Sequence, residues 1–226
     1  RKMILKVTKL SKSYRNGESN LKVFQNISLN INDGDLFTIM GESGAGKSTL
    51  LNILGTLDSA DSGSLIINGI NIKDLSRDEV SEIRNKELGF VFQFHHLLPD
   101  FTAFENVLIP NQISGKDGDK SKAAELLNYI GLKDRLNHLP SQLSGGEKLR
   151  VSVVRALMND PKLILADEPT GNLDVGNAIK LVDLFKKINK DFRLAFIITT
   201  HNPKVAQIGT KRLLLEKGEL SILDNI

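Results

Sequence analysis

Gly41-Glu42-Ser43-Gly44-Ala45-Gly46-Lys47-Ser48, followed by Thr49, decides how the rest of this 226-residue chain is read. It is a complete G-x-x-x-x-G-K-[ST] loop. Leu36-Phe37-Thr38-Ile39-Met40 before it reads as a buried strand and Thr49-Leu50-Leu51-Asn52-Ile53-Leu54 after it as a helix, so strand, glycine turn and helix start are in register. The glycines let successive backbone N–H groups turn inward with no Cβ in the way, which makes a nest for anionic oxygens at a helix N-terminus. Lys47 adds a point charge, and Ser48 offers a hydroxyl to Mg²⁺, which is usually held by one or two protein oxygens and the substrate phosphates. The expected ligand is a nucleoside triphosphate with Mg²⁺.

Composition narrows the setting. No window approaches the roughly 18 to 20 apolar residues that span a bilayer, and Arg1-Lys2-Met3-Ile4-Leu5-Lys6-Val7 does not read as a signal peptide. A soluble protein of the cytosol is expected. With no cysteine, disulfides and thiolate metal sites are excluded. The net charge of +3 is spread over the chain without a basic run, so it reads as solvation, and no nucleic acid partner is expected.

Asn32-Asp33-Gly34-Asp35 and Asn68-Gly69 each separate two apolar runs and read as hairpin signals, which predicts an antiparallel β layer around the phosphate loop. Ser76 and Glu79 have the spacing of a capping box. Leu88-Gly89-Phe90-Val91-Phe92 reads as a core strand ending at Gln93, and Leu163-Ile164-Leu165-Ala166 and Leu194 to Thr199 as two more, apolar enough for a parallel sheet covered on both faces. Ile179, Leu181, Val182, Leu184, Phe185 and Ile188 mark one side of a helix. From about Thr102 to Met158 the pattern is helical, with Gly131 as a helix stop. The fold class expected is α/β: a P-loop NTPase core and antiparallel β subdomain over about 1–93 and 159–226, with a helical subdomain inserted over about 94–158, in one domain spanning 1–226.

A P-loop says only that nucleotide binds; the groups around it decide the reaction. Asp167 and Glu168 come directly after an apolar strand. Alone, such a pair is the polar start of a loop. Downstream of a P-loop, Asp167 suits a Mg²⁺ ligand and Glu168 a general base on the attacking water. Gln93 and His201 each end a core strand on the same edge, where a Gln can ligate Mg²⁺ and orient water and a His can hydrogen-bond a γ-phosphate. Leu143-Ser144-Gly145-Gly146-Glu147 opens a further helix and makes a second anion site from a hydroxyl, two glycines and a positive helix end. Since one nest already covers the phosphates, Ser144, Gly145 and Gly146 are expected to meet the nucleotide of another subunit.

These elements, in this order, resemble the ATP-binding subunits of ABC transporters over essentially the whole chain. The resemblance identifies Gly41 to Ser48 as Walker A, Gln93 as the Q-loop, Leu143 to Glu147 as the signature, Leu163 to Glu168 as Walker B with its base, Leu173-Asp174 as the D-loop and His201 as the switch histidine. It implies ATP with Mg²⁺, a RecA-like core of the ABC ATPase type, Tyr14 stacked on adenine, and two copies sandwiching two ATP molecules with Leu173 and Asp174 at the seam. Lys148-Leu149 stands where two glutamines are usual, and Asn202 where Asp is common.

Gly89 to Pro99, with Phe101-Thr102-Ala103 and Glu105-Asn106-Val107, is more narrowly similar to the lipoprotein-releasing (Lol) ATPases and, less closely, to the macrolide-export (Mac) ATPases. This implies a peripheral ATPase on the cytoplasmic face of a bacterial inner membrane, bound to integral permease subunits. The stretch from Phe94 to Pro110 is expected to expose Phe94, Leu97, Leu98 and Phe101 to a cytoplasmic helix of such a permease. Macrolide, peptide or toxin efflux and a role in septation are alternative cargoes. A soluble ABC protein acting on nucleic acid is a third reading, against which stands the lack of a coiled coil, zinc cysteines or a second cassette. His95 and His96 diverge in any regular element and are not expected to bind metal.

Overall fold

The computed structural model describes residues 1–16 and 19–223, so residues 17, 18 and 224–226 of the expected domain lie outside it. In chain order, β1 (Met3–Asn16) and β2 (Ser19–Asn32) lead to β3 (Leu36–Met40) and α1 (Lys47–Leu54). Then come β4 (Ser62–Ile67), β5 (Ile70–Asn71), α2 (Arg77–Glu87) and β6 (Leu88–Phe92). The helices α3 (Ala103–Ile113), α4 (Lys120–Tyr129) and α5 (Gly145–Leu157) stand between β6 and β7 (Leu163–Asp167). The chain closes with α6 (Val175–Phe192), β8 (Ala195–Thr200), α7 (Pro203–Ala206), β9 (Lys211–Glu216) and β10 (Glu219–Ile222).

The strands form an antiparallel sheet in the order β2-β1-β4-β5 and a second sheet in the order β10-β9-β3-β8-β7-β6, parallel from β9 to β6. Side chains alternate across the parallel strands. Leu36, Val91, Ile164, Ala166, Phe196 and Ile198 point to one side, where α3, α4, α5 and α6 cover them. Phe37, Ile39, Leu163, Leu165, Ala195 and Ile197 point to the other, where α1 and the antiparallel sheet supply Leu50, Ile53, Leu5, Phe24 and Ile67. Strands buried on both faces must be apolar throughout, which is why their sequences show runs rather than alternation. The helical segment shares its apolar cluster with α6 and the sheet. Among the described residues no helix is long and apolar enough to cross a membrane.

Local signals account for most element ends. Asn68 and Gly69 have φ of 49° and 88° and join β4 to β5, as an Asn-Gly hairpin requires. Ser76 and Glu79 form the reciprocal cap of α2, and Gly131 sits at φ 76° just past α4. Asn32 to Asp35 differs from expectation. The turn closes, with Asp35 N 3.1 Å from Asn32 O, but the chain passes from one sheet into the other instead of pairing with the preceding strand. β3 is apolar on both faces and takes two parallel neighbours, β8 and β9, which a hairpin with β2 would not allow.

Three further expectations are corrected by tertiary placement. Helix α1 begins at Lys47, two residues before the apolar run. Ile179 is 57% exposed, because α6 joins the core only from Leu181 onward. Leu97 packs against the helical cluster, whereas Phe94, Leu98 and Phe101 are exposed.

Asn106 of α3 holds the loop that carries these residues. Fully buried, it donates through Nδ2 to the carbonyls of Leu98, Phe101 and Thr102, and its Oδ1 accepts from Leu98 N at 2.8 Å. Asn106→Ala is expected to lower stability by roughly 1–3 kcal/mol, since it strands several loop groups at once. Urea unfolding measures this, and an unchanged midpoint would show that water replaces the amide.

Candidate nucleotide site

The phosphate loop runs from the end of β3 into the first turn of α1. Gly44 and Gly46 have φ of 81° and 95°, and Gly46, at the N-cap of α1, has no room for a side chain: a Cβ would lie 2.6 Å from Val23 Cγ1. The first amides of α1 have no intrahelical carbonyl and are left for an anion. Lys47, 6% exposed, lies under the loop and donates to the carbonyls of Gly41 at 2.8 Å and Glu42 at 2.9 Å. Ser48 is exposed at the same turn and Thr49 half-buried. A cleft of about 600 Å³ opens against Glu42, Ser43, Gly44 and Ala45, with Lys22 on its wall.

Parallel register brings the other strand ends to this loop. Phe92 is level with Asp167, Asp167 with Thr199, and Thr200 with Met40. Gln93, Glu168, His201 and Gly41 therefore leave the sheet at one edge. Glu168 joins them: its Oε1 is 3.2 Å from Lys47 Nζ, its Oε2 2.9 Å from His201 Nδ1, and His201 N donates to Oε2 at 3.2 Å. Glu168 has φ 45°, a left-handed conformation unusual for a non-glycine residue, and its N–H is held by Thr199. Thr199 also donates its hydroxyl to Asp167 Oδ1 at 2.6 Å, which fixes the rotamer of that carboxylate.

Gln93 stands at one side of this cluster, where its Nε2 donates to Asn172 Oδ1 at 3.2 Å. Tyr14 stands at another. Its hydroxyl donates to Asp58 Oδ2 at 2.8 Å, and Lys12, itself bonded to Asp58, lies 4.8 Å from the centre of the ring. The bond to Asp58 raises the Tyr14 pKa, while the neighbouring Thr49 hydroxyl of α1 works the other way. The ring is thus tethered beside the phosphate-loop helix and remains 43% exposed.

Ser144, Gly145, Gly146 and Asp174 form a separate group. Ser144 caps α5 and Asp174 caps α6, where it accepts from Asn177 N at 2.9 Å. A Cβ on Gly146 would lie 3.3 Å from Asn177 Oδ1, so the two helix starts meet through Asn177. No motif singles out Thr199, Asp58, Lys12, Asn172 or Asn177. The only trace Thr199 leaves in the sequence is a hydroxyl inside an otherwise apolar strand.

A phosphate-binding loop with a carboxylate, a glutamine and a histidine at adjoining strand ends is the layout of a P-loop ATPase. A sequence profile described as ABC transporter matches residues 24–171. The chain belongs to the ABC transporter family and is an ABC-type ATPase. The lipoprotein-releasing system ATP-binding protein LolD 2 of Chlorobium chlorochromatii is 48% identical over 96% of this chain and 93% of that protein. LolD of Shewanella frigidimarina is 44% identical over 97% and 93%. The dimeric post-hydrolysis structure of the ATP-binding cassette MJ0796 bound to ADP and Pi has the same fold, with a TM-score of 0.87 at 38% identity over 99% of this chain and 100% of that one.

The start of α5 has an acid-sensitive cap. The Ser144 backbone N–H and the Arg135 guanidinium, 2.9 Å from Oε1, hold Glu147 down to about 2 from its ordinary 4.5. A lowered carboxyl pKa stabilises the fold above the unfolded value, and that stabilisation is lost as pH falls through the folded one. Stability is therefore expected to decline between pH 4.5 and about 2. Glu147→Gln should flatten that part of the profile, as read by thermal unfolding against pH; an unaltered slope would assign the acid loss to other carboxylates.

Proposed function

We propose that this chain is the ATP-hydrolysing subunit that powers release of lipoproteins from a bacterial inner membrane. The contact that carries the chemistry is the Lys47–Glu168–His201 cluster at the edge of the parallel sheet. Phosphate oxygens entering the loop would compete with Glu168 for Lys47. Freed from the lysine, the Glu168 carboxylate would take a proton from the attacking water, with His201 donating to the γ-phosphate and Gln93 orienting the water.

Ser48, Gln93 and Asp167 offer only oxygen ligands, a hydroxyl, an amide and a carboxylate, which suits Mg²⁺. When bound, Mg²⁺ would neutralise charge on the phosphates. Tyr14 would stack on adenine with its ring held by Asp58, and Ser43, Gly44, Ala45, Gly46 and Thr49 would line the phosphates.

Two copies would complete each site. The glycines and helix start at Ser144, Gly145 and Gly146 lie on α5 with Asp174 beside them, away from the Lys47 cluster, which suits an anion site that serves a facing subunit. The relative of known structure is described as dimeric. The cargo assignment rests on relatives named as lipoprotein-releasing ATP-binding proteins along nearly their whole length.

A membrane partner is supported by the surface beside Gln93. Phe94, Leu98 and Phe101 are 71%, 43% and 41% exposed, and next to them a groove of about 410 Å³ is lined by Leu57, Phe90, Phe92, Pro110 and Ile113. A cytoplasmic helix of a permease would lie there and hold the ATPase on the inner face of the membrane.

Two outcomes test the reading. Glu168→Gln should lower ATP turnover by roughly 10²- to 10⁴-fold, the usual worth of a general base. Because the amide is a weaker rival for Lys47, nucleotide affinity should hold or rise. Wild-type turnover in steady-state assays would remove Glu168 from the mechanism. Leu98→Glu should release the protein from membranes and abolish capture of integral membrane subunits from detergent extracts, with ATP hydrolysis by the isolated protein intact; equal recovery of those subunits would place the docking site elsewhere.

A further inference from the structure

The turn after Gln93 is held by an arginine from the signature helix. Arg155, near the end of α5, donates through Nη1 to His96 O at 2.6 Å and through Nη2 to His95 O at 2.7 Å. His95 and His96 have φ of 60° and 47°, two consecutive non-glycine residues in the left-handed region. Such a pair persists only when its surroundings hold it. The imidazole of His95 does not, since its buried Nδ1 has no partner. His96 contributes an edge contact to Phe92, with ring centres 5.1 Å apart. The flat guanidinium fork is the group that fixes both carbonyls together.

We propose that Arg155 is a positioning residue for hydrolysis, which sets the turn bearing Gln93 and ties that turn to the signature helix. Gln93 lies between Phe92, whose carbonyl accepts from His95 N at 3.0 Å, and the two carbonyls that Arg155 grips. At 1.5 Å per residue, Ser144 to Gly146 lie about 15 Å along the same helix from Arg155. A displacement of the Phe94–Leu98 surface would therefore move the signature helix with it. The inference rests on the assignment of Gln93 to the nucleotide site, and Arg155 itself contacts neither phosphate nor water.

The test compares Arg155→Met, Arg155→Lys, Gln93→Ala and the double variant Gln93→Ala/Arg155→Met in the full chain. Arg155→Met should lower kcat by roughly tenfold to 10²-fold, as a misplaced group does, and leave the KM for ATP unchanged. Arg155→Lys should recover part of the loss. If Arg155 acts through Gln93, the double variant should be no slower than Gln93→Ala.

Imidazole NMR of the four histidines gives the structural readout. The His95 and His96 signals should shift in Arg155→Met, with those of His138 and His201 in place. Multiplicative losses in the double variant, or wild-type kcat with shifted His95 and His96 signals, would overturn the proposal. Shifts at all four histidines would also overturn it, by making Arg155 a general support of the fold. Should the Met variant not fold, Arg155→Lys carries the same comparison. Wild-type turnover in Gln93→Ala would refute the role of Gln93, and with it the proposed action through that residue, while the histidine signals still report whether Arg155 holds the turn.

Discussion

The parallel register of β6, β7, β8 and β3 is the constraint on which the site depends. Gln93, Glu168, His201 and the phosphate loop follow the carboxyl ends of these strands, and they share one edge only because the strands end level with one another. A slip of one residue in β7 would turn Asp167 to the other face of the sheet and bury its carboxylate between Val91 and Ile198. The register is held by burial on both faces. Ile164 and Ala166 face the helical layer while Leu163 and Leu165 face α1, so neither face has an exposed alternative to slip towards.

Charge compensation at that edge arises from the same geometry. Lys47 is buried under the phosphate loop, and a buried ammonium is costly unless it is paired and hydrogen-bonded. Two carbonyls of the loop and Glu168 meet that need. Glu168 reaches Lys47 from a left-handed backbone position, with its own N–H held by Thr199. Strain and charge are thus stored in one residue, the one proposed to act on the attacking water. The pairing explains how a lysine buried at this edge is compensated by a carboxylate 3.2 Å away.

Much of this was legible in the sequence because the phosphate loop and the buried strands are local signals. Glycines that must bend backwards, and apolar runs that end on polar residues, reveal themselves without knowledge of the fold. The boundaries of β3 and β6 read from sequence agree with the structure to the residue. What was not legible depends on distant partners. Asn32 to Asp35 has hairpin chemistry, and only the pairing of β3 with β8 and β9 shows that it is a crossing between sheets. Leu97 and Leu98 are equivalent in sequence, yet one packs partly buried against the helical cluster and the other stays exposed. Thr199 and Arg155 act through hydrogen bonds to residues far away in the chain, and Asn106 through a set of bonds to its own loop, and no spacing in the chain encodes those.

The second cluster obeys a different rule from the first. At the sheet edge, groups converge because strands are level. At Ser144 and Asp174 they converge because two helices begin at the same place, α5 and α6, joined through Asn177. Helix starts carry partial positive charge and unpaired N–H groups. In α5 Ser144 Oγ accepts from Glu147 N and the Glu147 carboxylate from Ser144 N, and in α6 Asp174 accepts from Asn177 N. A side chain at Gly146 would press on the Asn177 amide, 3.3 Å from its Cβ, and that amide would have to give way. Gly146 is therefore the glycine on which the meeting of the helices bears, whereas Gly145 has open space around it. Helix α5 is also the one that grips the turn after Gln93 at its far end, so a single helix spans from the surface proposed to face a second copy to the surface proposed to face a membrane partner.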